Sequence, residues 1–187
     1  TLSIGQLTEA GSLGLVPTVS TTAMMALGDA LALCLFECRG FGPEQYARFH
    51  PGGSLGRKLM KVYEVMRRGN ENPLVQETLT LREVLHVMTC TPGRPGATTV
   101  VDESGRVSGF FTDGDLRRLL EDDHFSIDTP VSMVMHRDPK SVTPEQLVVE
   151  AAALMREHKI DQVPVIDGDG RAVGFLDVQD LLSARIM

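Results

Sequence analysis

The sequence predicts an α/β (α+β) fold in which two similar units of the order β-α-β-β-α follow a separate helical segment. The main observation is a repeat with an offset of 65 residues, because the stretch that begins at Gly109 reappears at Gly174. In each copy a run of strand-forming residues reaches a polar residue, and an aspartate three residues later opens a helical pattern of leucines. The second observation is that residues 1–60 do not share this pattern. A unit of about sixty residues is too small to bury its own sheet, so the two copies are expected to pack on each other.

Composition excludes two classes of partner. The chain has 187 residues, is 42% hydrophobic and carries a formal charge of −7. Residues 1–60 are electrically balanced, so all of the net charge belongs to the repeated part, which is too acidic to bind the phosphate backbone of nucleic acid. The most apolar run, residues 23–38, is interrupted by Asp29 and Glu37, and no run approaches the roughly 20 apolar residues of a membrane span. We therefore expect no nucleic-acid and no membrane partner.

The first sixty residues are predicted to belong to a different domain. Residues 1–15 mix short apolar runs with glycines, as a strand edge and a loop would. A long helix follows at residues 23–39, with Ser20, Thr21 and Thr22 as candidate N-caps. This helix is apolar on nearly every side, which is typical of a buried helix. Because few residues precede it, we expect the chain to start inside a larger domain.

Residues 40–43 end that helix, and a short polar helix is predicted at residues 44–49. His50 then precedes a proline and a glycine-rich stretch, so its imidazole is expected to project from a loop. Cys34 and Cys38 lie four residues apart on one helical face, but free cysteines in an apolar helix are a better interpretation than a metal site. Three cysteines without a recognisable secretion signal indicate reduced thiols and a cytoplasmic protein. No metal and no cofactor is predicted.

The repeated units are predicted at residues 61–126 and 127–187. In the first, Thr80 and Glu83 form a capping box at the start of a helix. In the second, Thr143 is the expected N-cap, followed by a proline at the first helical position. The predicted strands of the first unit are 74–75, 97–101 and 107–111, and its helices are 61–66, one that opens at Thr80, and 113–120. The predicted strands of the second unit are Val142, 162–166 and 172–176, with helices from Thr143 and Val178.

Three features meet where the third strand of each unit turns into a helix. The helix start provides backbone N–H groups and a positive dipole end, which suit a phosphate. Asp115 and Asp180 are short acceptors of the kind that bind ribose hydroxyls. Cationic side chains follow nearby, namely Arg117 and Arg118 in the first unit and His158 and Lys159 in the second. The alternative is that Thr112 with Asp115, and Asp177 with Asp180, are only capping boxes.

The order of elements, the residues from Gly109 to Asp115 and the Val163-Pro164-Val165 and Gly174 pattern resemble a tandem CBS module over residues 61–187. The resemblance implies a regulatory fold that binds a nucleotide between its halves. Thr112 and Asp115 match the ribose motif Ser/Thr-x-x-Asp, whereas Asp177 replaces its hydroxyl residue, so one occupied cleft per pair is expected. The predicted nucleotide-binding residues are Val75, Thr78, Thr99, Val100, Thr112, Asp115, Arg117, Arg118, Thr143, Gln162, Val163, Pro164, Asp177 and Asp180.

A wider resemblance covers nearly the whole chain. The stretches 17–22, 28–32 and 50–59, followed by the CBS-like pair, resemble the C-terminal part of arabinose 5-phosphate isomerases, which join a sugar-isomerase (SIS) domain to two CBS units. The resemblance implies interconversion of ribulose 5-phosphate and arabinose 5-phosphate for the lipopolysaccharide sugar Kdo, with His50 as a catalytic proton carrier. The family's other functional groups would precede Thr1, so residues 1–187 are expected to be inactive alone.

The resemblance also suggests a ligand and an assembly. CMP-Kdo is an attractive feedback ligand for the pair, and a homodimer of CBS pairs within a homotetramer is the expected assembly. Two alternatives stay open: a module that senses adenine nucleotides, and a scaffold whose Thr-x-x-Asp groups serve only as caps. A third possibility is that the intact enzyme handles a different phosphosugar.

Overall fold

The computed structural model describes residues 1–42, 45–46, 49, 53–121 and 126–186. The chain divides into two compact units, Thr1–Phe49 and His50–Met187. The predicted short helix at residues 44–49 falls partly outside the described residues, and His50 lies outside them entirely.

The first unit contains helix α1, Val19–Cys38, which begins four residues before the predicted start. Residues 1–18 form neither a helix nor a strand, so the predicted strand edge is absent from this stretch. The predicted caps Ser20, Thr21 and Thr22 are wrong, because Thr18 is the N-cap and its own side chain makes no capping bond. A carboxylate from the preceding loop supplies the acceptor instead, which sequence spacing does not reveal.

That carboxylate belongs to Glu9. Its Oε2 accepts hydrogen bonds from the backbone N–H groups of Thr18 and Val19 at 2.7 and 2.8 Å. Hydrogen bonds from the Ser20 side chain and from the Thr18, Ser20 and Val19 backbone lower the pKa of Glu9 to about 2. The negative charge at the start of α1 also complements the helix dipole.

Helix α1 corrects the prediction that no stretch approaches a membrane span, whereas its burial inside a larger domain stays a prediction. All twenty of its residues are described, and none is buried. Its length and its mean hydropathy of 1.6 make it the one described helix that is long and apolar enough to cross a membrane, a test that core helices of soluble proteins also pass. The expectation that no stretch approaches a membrane span was therefore wrong, because the residues before Ala23 also belong to the helix.

The second unit carries all of the strands that the structure describes. The strands are β1 Leu74–Gln76, β2 Ala97–Val101, β3 Val107–Thr112, β4 His136–Arg137, β5 Gln162–Ile166 and β6 Ala172–Asp177. The helices are α2 Ser54–Lys58, α3 Val62–Val65, α4 Leu81–Cys90, α5 Asp113–Leu119, α6 Val148–His158 and α7 Val178–Ser183, with short 3-10 turns at Gly69–Glu71 and Val131–Met133. The strands form two sheets with the orders β1-β2-β3-β4 and β5-β6. Strand β1 runs parallel to β2, and the other pairs are antiparallel.

This order confirms the predicted β-α-β-β-α pattern, with Val142 as a single bridge to Val165 in place of a first strand in the second repeat. The hairpin of β2 and β3 meets the hairpin of β5 and β6 at their tips. Val107 N donates to Gly170 O at 3.0 Å, and Ala172 N donates to Gly105 O at 3.4 Å. The repeats are therefore related by an approximate two-fold arrangement.

Each repeat completes its core with the lead-in segment that opens the other repeat; these lead-in segments are residues 61–67 and 130–136. Val62 of α3 is fully buried in the cluster formed by α6, β5, β6 and α7. Val131 and Met135 are buried in the cluster formed by β1, α4, β2 and β3. Since the lead-in segments cross over, neither repeat holds its whole apolar core within its own sequence.

Helix α6 begins at Val148 with Leu147 as its N-cap, so the predicted N-cap Thr143 is wrong. Thr143 instead belongs to a turn in which its N–H donates to Gln146 Oε1 at 2.7 Å. The helix starts later because Val148 N donates to Met60 O at 2.9 Å, a bond that keeps the preceding backbone extended. The predicted capping box of α4 is confirmed, as Thr80 N donates to Glu83 Oε2 at 2.8 Å.

Candidate functional site

A cavity of about 560 Å³ opens where β3 turns into α5, facing the start of β5. Its volume lies within the roughly 300–1,000 Å³ of ordinary small-molecule sites. The lining residues come from the first repeat and from two separate parts of the second. They are Gly96, Phe110, Thr112, Asp113, Gly114, Asp115, Arg117, Arg118, His136, Pro139, Lys140, Lys159, Ile160, Asp161 and Gln162.

The Thr112-x-x-Asp115 motif forms the predicted capping box and also faces this cavity. Asp115 Oδ2 accepts hydrogen bonds from Thr112 N and Thr112 Oγ1, both at 2.8 Å. Its other oxygen, Oδ1, pairs with Arg118, whose side chain is 72% exposed. The cap therefore occupies one carboxylate oxygen. Among the described residues, the partner of the second is a solvated arginine that a ligand can displace.

The start of α5 is less open to anions than the sequence suggested. Asp113 N donates to Gly96 O at 2.8 Å, and Asp115 N donates to Thr112 Oγ1 at 3.2 Å. Two of the first three N–H groups are thus already used, and two carboxylates occupy the first turn. The start of α5 thus offers a phosphate fewer free N–H groups than expected, because the cap and the Gly96 loop use two of them.

Side chains supply the positive charge of the cavity instead. Its lining has four cationic side chains and three carboxylates, in a chain whose overall charge is −7. The apolar contribution comes from Phe110 and Ile160. The cationic residues are Arg117, Arg118, Lys140 and Lys159.

Lys159 has an unusual backbone. It ends α6 in the left-handed conformation, with φ 53° and ψ 46°. Glycine is the residue that adopts this conformation without strain. The sequence suggested Lys159 for the second cleft, but the structure places it in the lining of the cavity beside Asp115.

The second repeat builds the matching cap from two carboxylates. Asp177 is buried; its N–H donates to Asp180 Oδ2 at 3.1 Å, and its Oδ1 accepts from Gln179 N at 2.8 Å. Asp180 is further engaged by Arg67 at 2.9 Å. Gln162, which lines the cavity, also reaches Asp177 Oδ2 with its Nε2 at 3.3 Å.

The structure brings together five of the predicted binding residues: Thr112, Asp115, Arg117, Arg118 and Gln162. Four others are buried within β2 and β5, namely Thr99, Val100, Val163 and Pro164. Val75 lines a separate groove of about 510 Å³, and Thr78 is exposed. Thr143 is half-buried in the turn before α6. The predicted catalytic residue His50 lies outside the described residues.

Sequence reasoning missed the contribution of residues 136–140, near the start of the second repeat. His136, Pro139 and Lys140 line the cavity because β4 pairs with β3, which sets Phe110 opposite His136. The two-residue strand β4 is too short to leave a periodic pattern in the sequence. The repeat itself could have revealed the position of His136, because Met135-His136 precedes Val142 as Met66-Arg67 precedes β1.

Comparison with known proteins identifies the family. The sequence pattern of the CBS domain matches residues 62–122 and 131–186, which is more than half of the chain. The chain belongs to the CBS-domain family. The CBS pair resembles an uncharacterized conserved protein from Pyrococcus horikoshii with a TM-score of 0.60 and 24% identity, over 70% of this chain and 95% of that one. It also resembles the cytosolic domain of the Mg²⁺ channel MgtE in complex with ATP, with a TM-score of 0.56 and 28% identity over 66% of this chain and 48% of that one.

Curated relatives extend the similarity beyond the CBS pair. The arabinose 5-phosphate isomerase KdsD of Pseudomonas aeruginosa is 45% identical over 186 residues, which cover 99% of this chain and 56% of that protein. The KdsD protein of Francisella tularensis is 38% identical over 180 residues, covering 95% of this chain and 54% of that protein. The chain thus spans about half the length of the curated relatives it matches, and the similarity includes the residues before the CBS pair.

Proposed function

We propose that the CBS pair is the regulatory part of an arabinose 5-phosphate isomerase and that its 560 Å³ cavity binds a nucleotide. The observation that carries the proposal is the position of Asp115. One of its carboxylate oxygens faces a cavity that is rich in cations within an otherwise acidic chain.

Each part of a nucleotide has a group to meet it. A ribose binds through its hydroxyls to Asp115, in place of Arg118. The phosphate then lies among Arg117, Lys140 and Lys159, where charge-assisted hydrogen bonds are strong. The base packs on the apolar wall, which includes Ile160.

The enzymatic part of the proposal rests on the curated relatives, which carry the isomerase name. In the whole protein, residues 1–60 would end the sugar-isomerase domain, and the reaction would interconvert ribulose 5-phosphate and arabinose 5-phosphate in the cytoplasm. His50 would carry a proton in this chemistry, since an imidazole exchanges protons near neutral pH. Residues 1–187 alone are expected to be inactive.

CMP-Kdo is our specific candidate for the ligand. It combines a ribose with a phosphate and with a sugar carboxylate, so it offers two anionic groups to the four cations of the cavity. As the activated end product it would restrain an early step of its own synthesis. Binding can regulate the enzyme only if the ligand prefers one of two states of the assembly, which we propose is a homodimer of CBS pairs within a homotetramer.

Calorimetric titration with CMP, CMP-Kdo, AMP, ATP and arabinose 5-phosphate tests the nucleotide site. We expect a cytidine nucleotide to bind the wild type and to lose at least tenfold in affinity in Asp115→Asn. Asp169→Asn is the matched control, because it removes one negative charge from an exposed turn outside the cavity. Equal binding by wild type and Asp115→Asn would contradict the site, and silence from every nucleotide would leave the pair as an assembly scaffold.

Adenine nucleotides are a second candidate. The MgtE domain, solved in complex with ATP, is 28% identical to this chain over the shared fold. Preference for AMP or ATP over the cytidine compounds in the same titration would favour a sensor of energy status over a feedback site.

A further inference from the structure

We propose that Arg67 closes the second cleft of the CBS pair, so that each chain takes one ligand. The first cleft is the 560 Å³ cavity beside Thr112 and Asp115, and the second cleft is the equivalent place beside Asp177 and Asp180. Arg67 fills the position opposite Asp180 that a ligand ribose would need. The inference rests on the proposed nucleotide function of the first cleft, and it assigns a role in site selection to a residue outside that cleft.

Arg67 and His136 are structurally equivalent. Arg67 exchanges both backbone hydrogen bonds with Phe175 of β6, at 2.8 and 3.1 Å. His136 pairs with Phe110 of β3 in the same antiparallel sense. The residue before each, Met66 or Met135, packs against the glycine that precedes the paired phenylalanine, Gly174 or Gly109. The two repeats therefore place an arginine and a histidine at the same point relative to their own clefts.

The arginine engages its aspartate fully. Arg67 Nε donates to Asp180 Oδ2 at 2.9 Å and to Oδ1 at 3.1 Å, and Arg67 Nη2 donates to Oδ1 at 3.1 Å. The side chains of Arg67 and Asp180 are only 14% and 20% exposed. Because Asp180 Oδ2 also accepts from Asp177 N, both carboxylate oxygens are occupied within the protein.

The guanidinium also fills space beside the loop that leads to β2. Arg67 Nη1 is buried without a hydrogen-bond partner among the described residues. It lies 3.0 Å from the point where a Cβ on Gly93 would be. Leaving a buried N–H unpaired is unfavourable, so the ion pair with Asp180 is the interaction that holds the side chain in this place.

The first cleft differs from the second in two respects: the residue equivalent to Arg67 and the partner of the aspartate. His136 is exposed and lines the open cavity. In the part of the chain that the structure describes, the second oxygen of Asp115 pairs with Arg118, which is 72% exposed and belongs to the same helix. A ligand displaces a solvated side chain easily, whereas displacing Arg67 breaks a nearly buried bidentate pair and leaves its charge without compensation.

The chemistry of the second cleft also predicts what it would admit once Arg67 is removed. Asp177 and Asp180 would then face the ligand without the guanidinium that pairs with Asp180. Two carboxylates repel a phosphate, so an uncharged nucleoside fits this cleft better than a nucleotide.

The test counts binding sites per chain with AMP, CMP, adenosine and cytidine as probes, by calorimetry and by equilibrium dialysis. Wild type is expected to bind one equivalent. Arg67→His, which copies the residue of the first cleft, is expected to gain a second equivalent that favours a nucleoside. Asp180→Asn in the Arg67→His background should remove the gained site, whereas Asp115→Asn should remove the original one.

The reciprocal substitution tests the same idea in the other cleft and does not depend on Arg67→His folding. His136→Arg is expected to weaken wild-type binding at least tenfold, while His136→Gln retains it. Two sites in wild type, or no gained site in a folded Arg67→His, would overturn the role of Arg67 even if the first cleft binds as proposed. No binding by wild type together with a gained site in Arg67→His would instead refute the function of the first cleft and support closure by Arg67.

Discussion

At the end of α6, Lys159 combines a strained backbone with a charge that lines the cavity. The left-handed conformation costs a residue other than glycine roughly 1–2 kcal/mol. Replacement by glycine recovers only part of this energy, because glycine loses more conformational entropy on folding. We expect Lys159→Gly to raise the free energy of unfolding by about 0.5–1 kcal/mol and to weaken nucleotide binding. Denaturant melts and calorimetry on the same samples measure both effects.

Arg185 is the matched control for Lys159. It adopts φ 55° just after α7 but does not line the cavity. Arg185→Gly should therefore raise stability by a similar amount without changing the affinity for nucleotide. Opposite effects on stability and binding at Lys159 would show that the side chain is retained for its ligand, and equal binding in both variants would refute this role.

At the scale of single residues, Glu9 also predicts how the stability of the protein depends on pH. Hydrogen bonds from the Ser20 side chain and the Thr18 backbone lower its pKa from 4.5 to about 2. Since the folded pKa is depressed, this contribution to stability is complete above about pH 4.5 and is lost as pH falls towards 2. Carboxyl-carbon NMR should show Glu9 titrating near pH 2, and Glu9→Gln should flatten that part of the acid stability profile. Titration of Glu9 at its ordinary pKa would contradict the cap.

At the scale of elements, two glycines permit the close approach that pairs each lead-in segment with the opposite hairpin. A Cβ at Gly109 would overlap Met135 Sδ and lie 3.1 Å from His136 O. A Cβ at Gly174 would meet Met66 Sδ at 2.6 Å and Arg67 O at 3.1 Å. We expect each substitution by alanine to lower the free energy of unfolding by about 1–3 kcal/mol through overpacking.

Gly168 is the control for both, because a Cβ there meets nothing within 4 Å. Gly168→Ala should leave the thermal midpoint nearly unchanged. If Gly109→Ala and Gly174→Ala were equally silent, the two lead-in segments would not be held as tightly against the hairpins as the structure indicates.

At the scale of the whole molecule, the exchanged lead-in segments predict that the two repeats unfold together. Val62 is fully buried in the core of the second repeat although it belongs to the first. Val62→Ala should cost about 2 kcal/mol and shift the unfolding of both hairpins to the same extent, as followed by hydrogen exchange.

The exposed neighbour Tyr63 provides the comparison, and Tyr63→Ala should change stability far less. Residues 127–187 expressed alone lack Val62 and are expected to remain unfolded. A folded, cooperative 127–187 fragment would contradict the exchange of core segments.

The sequence by itself determined the repeat, the β-α-β-β-α order and the capping boxes of α4, α5 and α7. These features depend on local periodicity and on contacts three residues apart, such as Thr112 with Asp115, so they are legible without a structure. It could not reveal that Glu9 caps α1, because that contact spans a loop whose path no pattern specifies. It also placed the start of α6 too early, since the decisive bond from Val148 comes from a distant segment.

Only the tertiary structure decided how the two clefts differ. Asp115 and Asp180 occupy equivalent places in the repeat, and the sequence distinguished them only through Asp177. The structure adds Arg67, which is 113 residues from Asp180 and binds it, and Lys159, which faces the cleft of the other repeat. Burial and ion pairing depend on which distant segments meet, and that is fixed when the two repeats pack into one fold rather than by either repeat alone.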